Sequence, residues 1–160
     1  MNAIDMLTQQ HREVEELFAR AEKAEGETKR DLANAIADKL AVHVSIEEKH
    51  FYPATRTTRT EELLREAVEE HLSAKRLIAD LIDSEPDDPQ FGSKIKVLKE
   101  QVQHHVEEEE GQLFPRVLNL ISTQELEDLA VVMQDTAEEL EQSEPREIVP
   151  LETRAPSSIE

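Results

Sequence analysis

Apolar residues recur along this chain at intervals of three and four, the period of one face of an α-helix. In the first such stretch, from about Ala3 to Glu25, Ile4, Leu7, Val14, Leu17, Phe18 and Ala21 share a stripe. Asn2 stands where a cap belongs, Asp5 lies in the first turn, and Gly26 closes the stretch. A second stretch runs from about Thr28 to Tyr52 and stops at Pro53; a third runs from about Glu61 to Ile82. A fourth begins between Asp88 and Ser93, after the loop DSEPDDPQ, and reaches Phe114 before Pro115. Ser122 with Glu125 makes a capping-box pattern ahead of a fifth, about Thr123 to Glu141. Four long helices with short connections predict an all-α, up-down-up-down four-helix bundle over residues 1–142. The additional C-terminal helix would pack alongside the fourth or extend it. Residues 143–160 carry three prolines among scattered charges and are expected to form a flexible tail.

The stripes are interrupted by polar residues. In the second helix the stripe reads Leu32, Ile36, Leu40, His43, Glu47, and in the fourth Ile95, Leu98, Val102, His105, Glu109, Leu113. His11 lies between Leu7 and Val14, and His71 between Ala67 and Ala74. Each of the four helices therefore aims one histidine inward, and two also aim a glutamate. A single inward histidine is ordinarily a hydrogen-bonded core residue. A buried carboxylate costs several kcal/mol unless it is compensated, and no Arg or Lys faces Glu47 or Glu109 at their level. Metal cations would compensate them, and neutral imidazoles suit the same ions.

The pattern is duplicated. AVHVSIEEKHFYP (41–53) aligns with QHHVEEEEGQLFP (103–115) at an offset of 62, pairing His43 with His105, Glu47 with Glu109, Glu48 with Glu110, Tyr52 with Phe114 and Pro53 with Pro115. HREVEELF from His11 aligns with HLSAKRLI from His71 at an offset of 60. The chain reads as two helical hairpins, each with one His and one His-x-x-x-Glu. The repeat selects His105 over His104, which lies about 100° around the helix. Pseudo-twofold pairing places His11 and His43 on one ion and His71 and His105 on the other, with Glu47 and Glu109 bridging. That set leaves each ion short of six ligands, so positions stay open for a small molecule.

Composition narrows the alternatives. With 3 Gly and no Cys in 160 residues, a sheet is disfavoured, and thiol catalysis and cysteine-bound clusters are excluded. A net charge of −19 opposes binding to nucleic acid. No stretch is apolar enough to span a bilayer or serve as a signal core, so no membrane partner and a cytoplasmic location are expected. A monomeric state is favoured.

HREVEELF, HVSIEEKHFYP and HVEEEEGQLFP resemble the motifs of the hemerythrin-like, or HHE cation-binding, family, over about residues 1–140. The resemblance implies a four-helix bundle around two non-haem iron ions, bridged by carboxylates and often by an oxo or hydroxo group. Manganese and zinc accept the same donors but are less expected. It implies a small-molecule partner: dioxygen, hydrogen peroxide or nitric oxide. Redox turnover in oxidative or nitrosative stress fits the pattern; so does non-enzymatic oxygen binding, sensing or iron buffering. Oxygen carriers place a second histidine one turn after that of the third helix. This chain has Lys75 there, which disfavours reversible carriage. His50 makes a ferritin-like Glu47-x-x-His50 unit, but its counterpart is Gln112, so a role outside the ligand set is expected. Glu15, one turn beyond His11, is a candidate to accept a ligand's hydrogen bond or fill an open position. Tyr52, nine residues after His43, is turned away in a regular helix and is expected to pack in the core with Phe18, Phe51 and Phe114.

Overall fold

A computed structural model describes residues 1–160 and contains helices only. The four bundle helices are α1 (Ala3–Lys23), α2 (Gly26–Ile46), α4 (Glu61–Ile82) and α5 (Phe91–Glu108). Each packs on two neighbours in the order α1–α2–α4–α5. Asn2 and Asp5 close a reciprocal capping box at the head of α1, and Ser122 and Glu125 do the same for α7 (Thr123–Glu141). Gly26 takes φ +59 at the turn from α1 into α2, a conformation that favours glycine. The structure bears out the all-α bundle with an additional C-terminal helix.

The two prolines do not end their helices. After Ile46, and again after Glu108, the backbone widens into a single π turn, Glu47–Phe51 and Glu109–Leu113. The Tyr52 N–H donates to the Glu47 carbonyl and the Phe114 N–H to the Glu109 carbonyl. Helical winding then resumes as α3 (Tyr52–Thr55) and α6 (Phe114–Leu120). Pro53 and Pro115 thus fall in the first turn of a new segment, where a missing N–H breaks no bond. α6 extends the fourth helix past its proline, and α7 folds back onto α1 and α2.

Two apolar clusters fill the bundle. One gathers Leu7, Ile46, Phe51, Leu64, Phe114 and Met133 and includes the inner face of α7. The other gathers Phe18, Ile36, Leu40, Ile78, Phe91 and Leu98 at the opposite end. The inward histidines and glutamates lie between them, as a polar layer sealed on both sides.

The expected flexible tail is different in the structure. Residues 145–152 wind as a 3-10 helix, Pro145–Glu152, packed on α2 and α4. Val149 and Ile159 are each 3% exposed, one in each apolar cluster. Arg146 donates to Asp38 through its guanidinium (2.9 Å) and its backbone N–H (3.1 Å). Proline content suggested disorder, but two spaced apolar residues and one arginine suffice to dock so short a segment.

Candidate metal centre

All six candidate ligands are buried: His11, His43, His71, His105, Glu47 and Glu109 are each at most 8% exposed. The rings of His11 and His43 lie with centroids 4.8 Å apart, and those of His71 and His105 lie 4.7 Å apart. Donor atoms of His11, His43 and Glu109 lie within 4.8 Å of one another, as do those of Glu47, His71 and His105. Each carboxylate also reaches the other group. Glu47 Oε1 is 3.1 Å from His43 Nε2 and 3.2 Å from His71 Nε2. Glu109 Oε1 is 3.1 Å from His11 Nε2, and its Oε2 is 3.3 Å from His105 Nε2.

Every histidine is held from outside the cluster by its Nδ1. His11 meets Glu110 (2.7 Å), His43 meets the Gln10 carbonyl oxygen (2.7 Å), His71 meets Glu48 (2.8 Å) and His105 meets Glu70 (2.8 Å). Carboxylate and amide oxygens accept, so each Nδ1 carries a proton and each Nε2 faces inward. These partners obey the same repeat: Glu48 and Glu110 are 62 apart, and Gln10 and Glu70 are 60 apart. The sequence alignment paired Glu48 with Glu110 but assigned them no role. Gln10 and Glu70 escaped it, although each directly precedes a paired histidine.

Tyr52 is the principal correction. It is 0% exposed, stacks on His71, and its hydroxyl donates to Glu109 Oε2 at 2.6 Å. The hydroxyl is also 3.2 Å from His71 Nε2. In an uninterrupted α-helix Tyr52 would lie about 140° around from Glu47. The i→i+5 bond of the π turn returns it to the same face. Its counterpart Phe114 stacks on His11 instead, so this hydroxyl is present in only one half of the centre. The recurring Glu, five-residue step, aromatic and Pro was the signal for the π turn.

The other candidates stand apart. His104 is exposed and pairs with Glu108 at 3.1 Å. His50 meets Thr136 of α7 at 2.7 Å, and Glu15 pairs with Arg12 on the surface. Lys75, in place of the carriers' histidine, is 3% exposed and donates to Glu48 Oε1 at 2.8 Å.

Burial opposes charge on His11, His71 and His105, but the adjacent Glu109 and Glu47 outweigh it and raise all three above 6.5, His105 furthest. Burial would likewise raise Glu48, yet His71, Lys75 and Ser157 bring it down to about 2. Burial, reinforced by Glu109, lifts Tyr52 well above 10, so its hydroxyl keeps its proton. Both oxygens of Glu47 and the Nε2 of His43 nonetheless have no hydrogen-bond partner, although Nε2 and one of those oxygens approach to 3.1 Å. A fully buried carboxylate with its lone pairs unclaimed and imidazole nitrogens around it is a donor set suited to a cation.

The sequence profile of the hemerythrin HHE cation-binding domain matches residues 2–117. The chain belongs to that family. Metal-ion binding goes with the family, and the His/Glu layer is where this member has the donors for it. A protein described as a DNA nickase, from Nostoc sp. (strain PCC 7120 / SAG 25.82 / UTEX 2576), is 27% identical over 143 residues. The match covers 89% of this chain but 41% of that protein, so the chain spans under half of its relative's length. The crystal structure of a hemerythrin HHE cation-binding domain-containing protein from Mycobacterium kansasii superposes with a TM-score of 0.78 at 22% identity. It covers 96% of this chain and 95% of the other. That likeness bears out the fold. No helix of this HHE protein is long and apolar enough to cross a membrane.

Proposed function

We propose that this HHE protein holds two iron ions in the polar layer and reacts there with dioxygen, hydrogen peroxide or nitric oxide. His11 and His43 would hold one ion, His71 and His105 the other, and Glu47 and Glu109 would span both. One observation carries this reading: the buried Glu47 carboxylate, unpartnered at both oxygens, between imidazoles of both groups. Bound iron would supply electron exchange with the small oxidant. The residues do the rest. The outer carboxylates and Gln10 fix each imidazole with Nε2 inward. Tyr52 keeps a proton at its hydroxyl, directed at Glu109 Oε2 and beside His71. Phe51 and Phe114 exclude water from the adjoining cluster. Lys75 is engaged with Glu48 and adds no imidazole where an oxygen carrier would have one, which favours turnover over storage.

The nicking activity named for the Nostoc protein is not carried over. A chain of net charge −19 is repelled by phosphate backbones, and we place this protein with small-molecule chemistry in the cytoplasm. Metal analysis with a visible spectrum of aerobically prepared protein tests the proposal. We expect close to two iron per chain, a near-ultraviolet oxo-bridge band, and loss of both in Glu47→Ala. A colourless protein holding zinc, or none, would overturn it.

A further inference from the structure

The C-terminal segment touches the centre although it lies beyond the residues matched by the family profile. From the end of α7 it follows the seam between α2 and α4, anchored first by Arg146 on Asp38 and Val149 in the apolar cluster. Arg76 Nε then donates to the Thr153 carbonyl at 2.9 Å, and Ile159 is buried in the other cluster. Between these anchors, Ser157 donates to Glu48 Oε1 at 2.6 Å, and Glu152 approaches Lys75 at 3.5 Å. Glu48 is the carboxylate that holds His71 Nδ1, so the segment grips the support of a candidate ligand.

It also completes a wall. A pocket lined by His11, His43, His71 and His105 is also lined, from the segment, by Ile148, Val149 and Glu152. The segment thus stands between these histidines and solvent on the α2–α4 side.

We propose that residues 145–159 are a strap that covers the α2–α4 side of the metal centre and limits access to it from solvent. The inference rests on the metal-binding reading above and adds a cover that controls access to that site. Its undocking exposes the His71–His105 half first, because that half is tied to Glu48.

The test uses the full chain loaded with iron, in three forms: unaltered, Val149→Asp and Arg146→Ala. Val149→Asp removes an apolar anchor; Arg146→Ala removes a surface anchor and carries the same test if the first variant fails to fold. Three quantities are read: iron per chain, the rate at which excess ethylenediaminetetraacetate strips the iron, and amide exchange over residues 145–159. We expect faster amide exchange in the strap and stripping at least tenfold faster. Stripping within twofold of the unaltered protein, with the strap shown to be undocked, would overturn the inference and leave the metal reading intact. A strap that stays protected in both variants would overturn it too, since the segment would then not be a separable cover. An unaltered chain that takes up no metal would remove both readings.

Discussion

At the scale of single residues, the centre is a balance of buried charges in which most groups have a hydrogen-bond partner and Glu47 has none. Lys75 is enclosed, and Glu48 is its 2.8 Å partner. Removing one member of a buried pair strands the other, so Glu48→Ala should cost about 3–5 kcal/mol, read by urea denaturation. A loss under about 1 kcal/mol would show that Glu152 alone can hold the lysine. Tyr52→Phe removes one hydrogen bond to a charged group, and we expect a loss of about 1.5–3 kcal/mol in protein stripped of metal, with helix content unchanged. Stripped protein should also depend on pH in a defined sense. His11, His71 and His105 titrate above 6.5 in the folded chain. The stability they contribute is therefore fully present below pH 6.5 and lost as pH rises through their folded values. Melting of the stripped protein should be higher at pH 6 than at pH 9; the opposite order would contradict these shifts. The inward histidines and glutamates were legible in the sequence because each breaks an apolar stripe. Tyr52 was not, because no stripe survives a change of helical pitch.

Among the elements, the π turns deserve most weight, since one added residue in each re-aims everything after it. They also change what a proline costs. Inside a regular helix Pro53 would be destabilising by about 3 kcal/mol, but at the first turn of α3 it breaks nothing. Pro53→Ala should alter stability by no more than about 1 kcal/mol, checked by thermal melting. Ser122→Ala removes the cap of α7 and should cost about 1 kcal/mol, within the usual range for a lost N-cap. Helix positions were readable from periodicity: α4 and α7 begin and end where the stripes and caps do. The continuation through Pro53 and Pro115 was not, because a proline reads as a stop unless the preceding turn is known to be wide. The docking of residues 145–152 was hidden for a related reason. Its few apolar residues are anchored by contacts distant in sequence, such as Arg146 with Asp38.

For the whole molecule, the polar layer divides two apolar clusters that would otherwise be continuous, so a cation there secures the middle of the bundle. A ligand present at 1,000 times its dissociation constant adds about 4 kcal/mol to stability. Removing metal with a chelator should then lower the melting temperature by about 10 °C, given a shift of about 2–4 °C per kcal/mol for a chain of this size. An unchanged melting curve would mean that the layer does not depend on a cation.

The arrangement of donors has a consequence for timing. His11 and His43 stand in the first hairpin, but the carboxylate grouped with them, Glu109, stands in the second; His71 and His105 in turn share theirs with Glu47 of the first. Each hairpin brings two histidines and one glutamate, but each carboxylate reaches histidines of both hairpins. With both carboxylates spanning two ions, as proposed, the site would be complete only once the helix bearing Glu109 has emerged and docked, and uptake of the metal pair would report that the two halves have met.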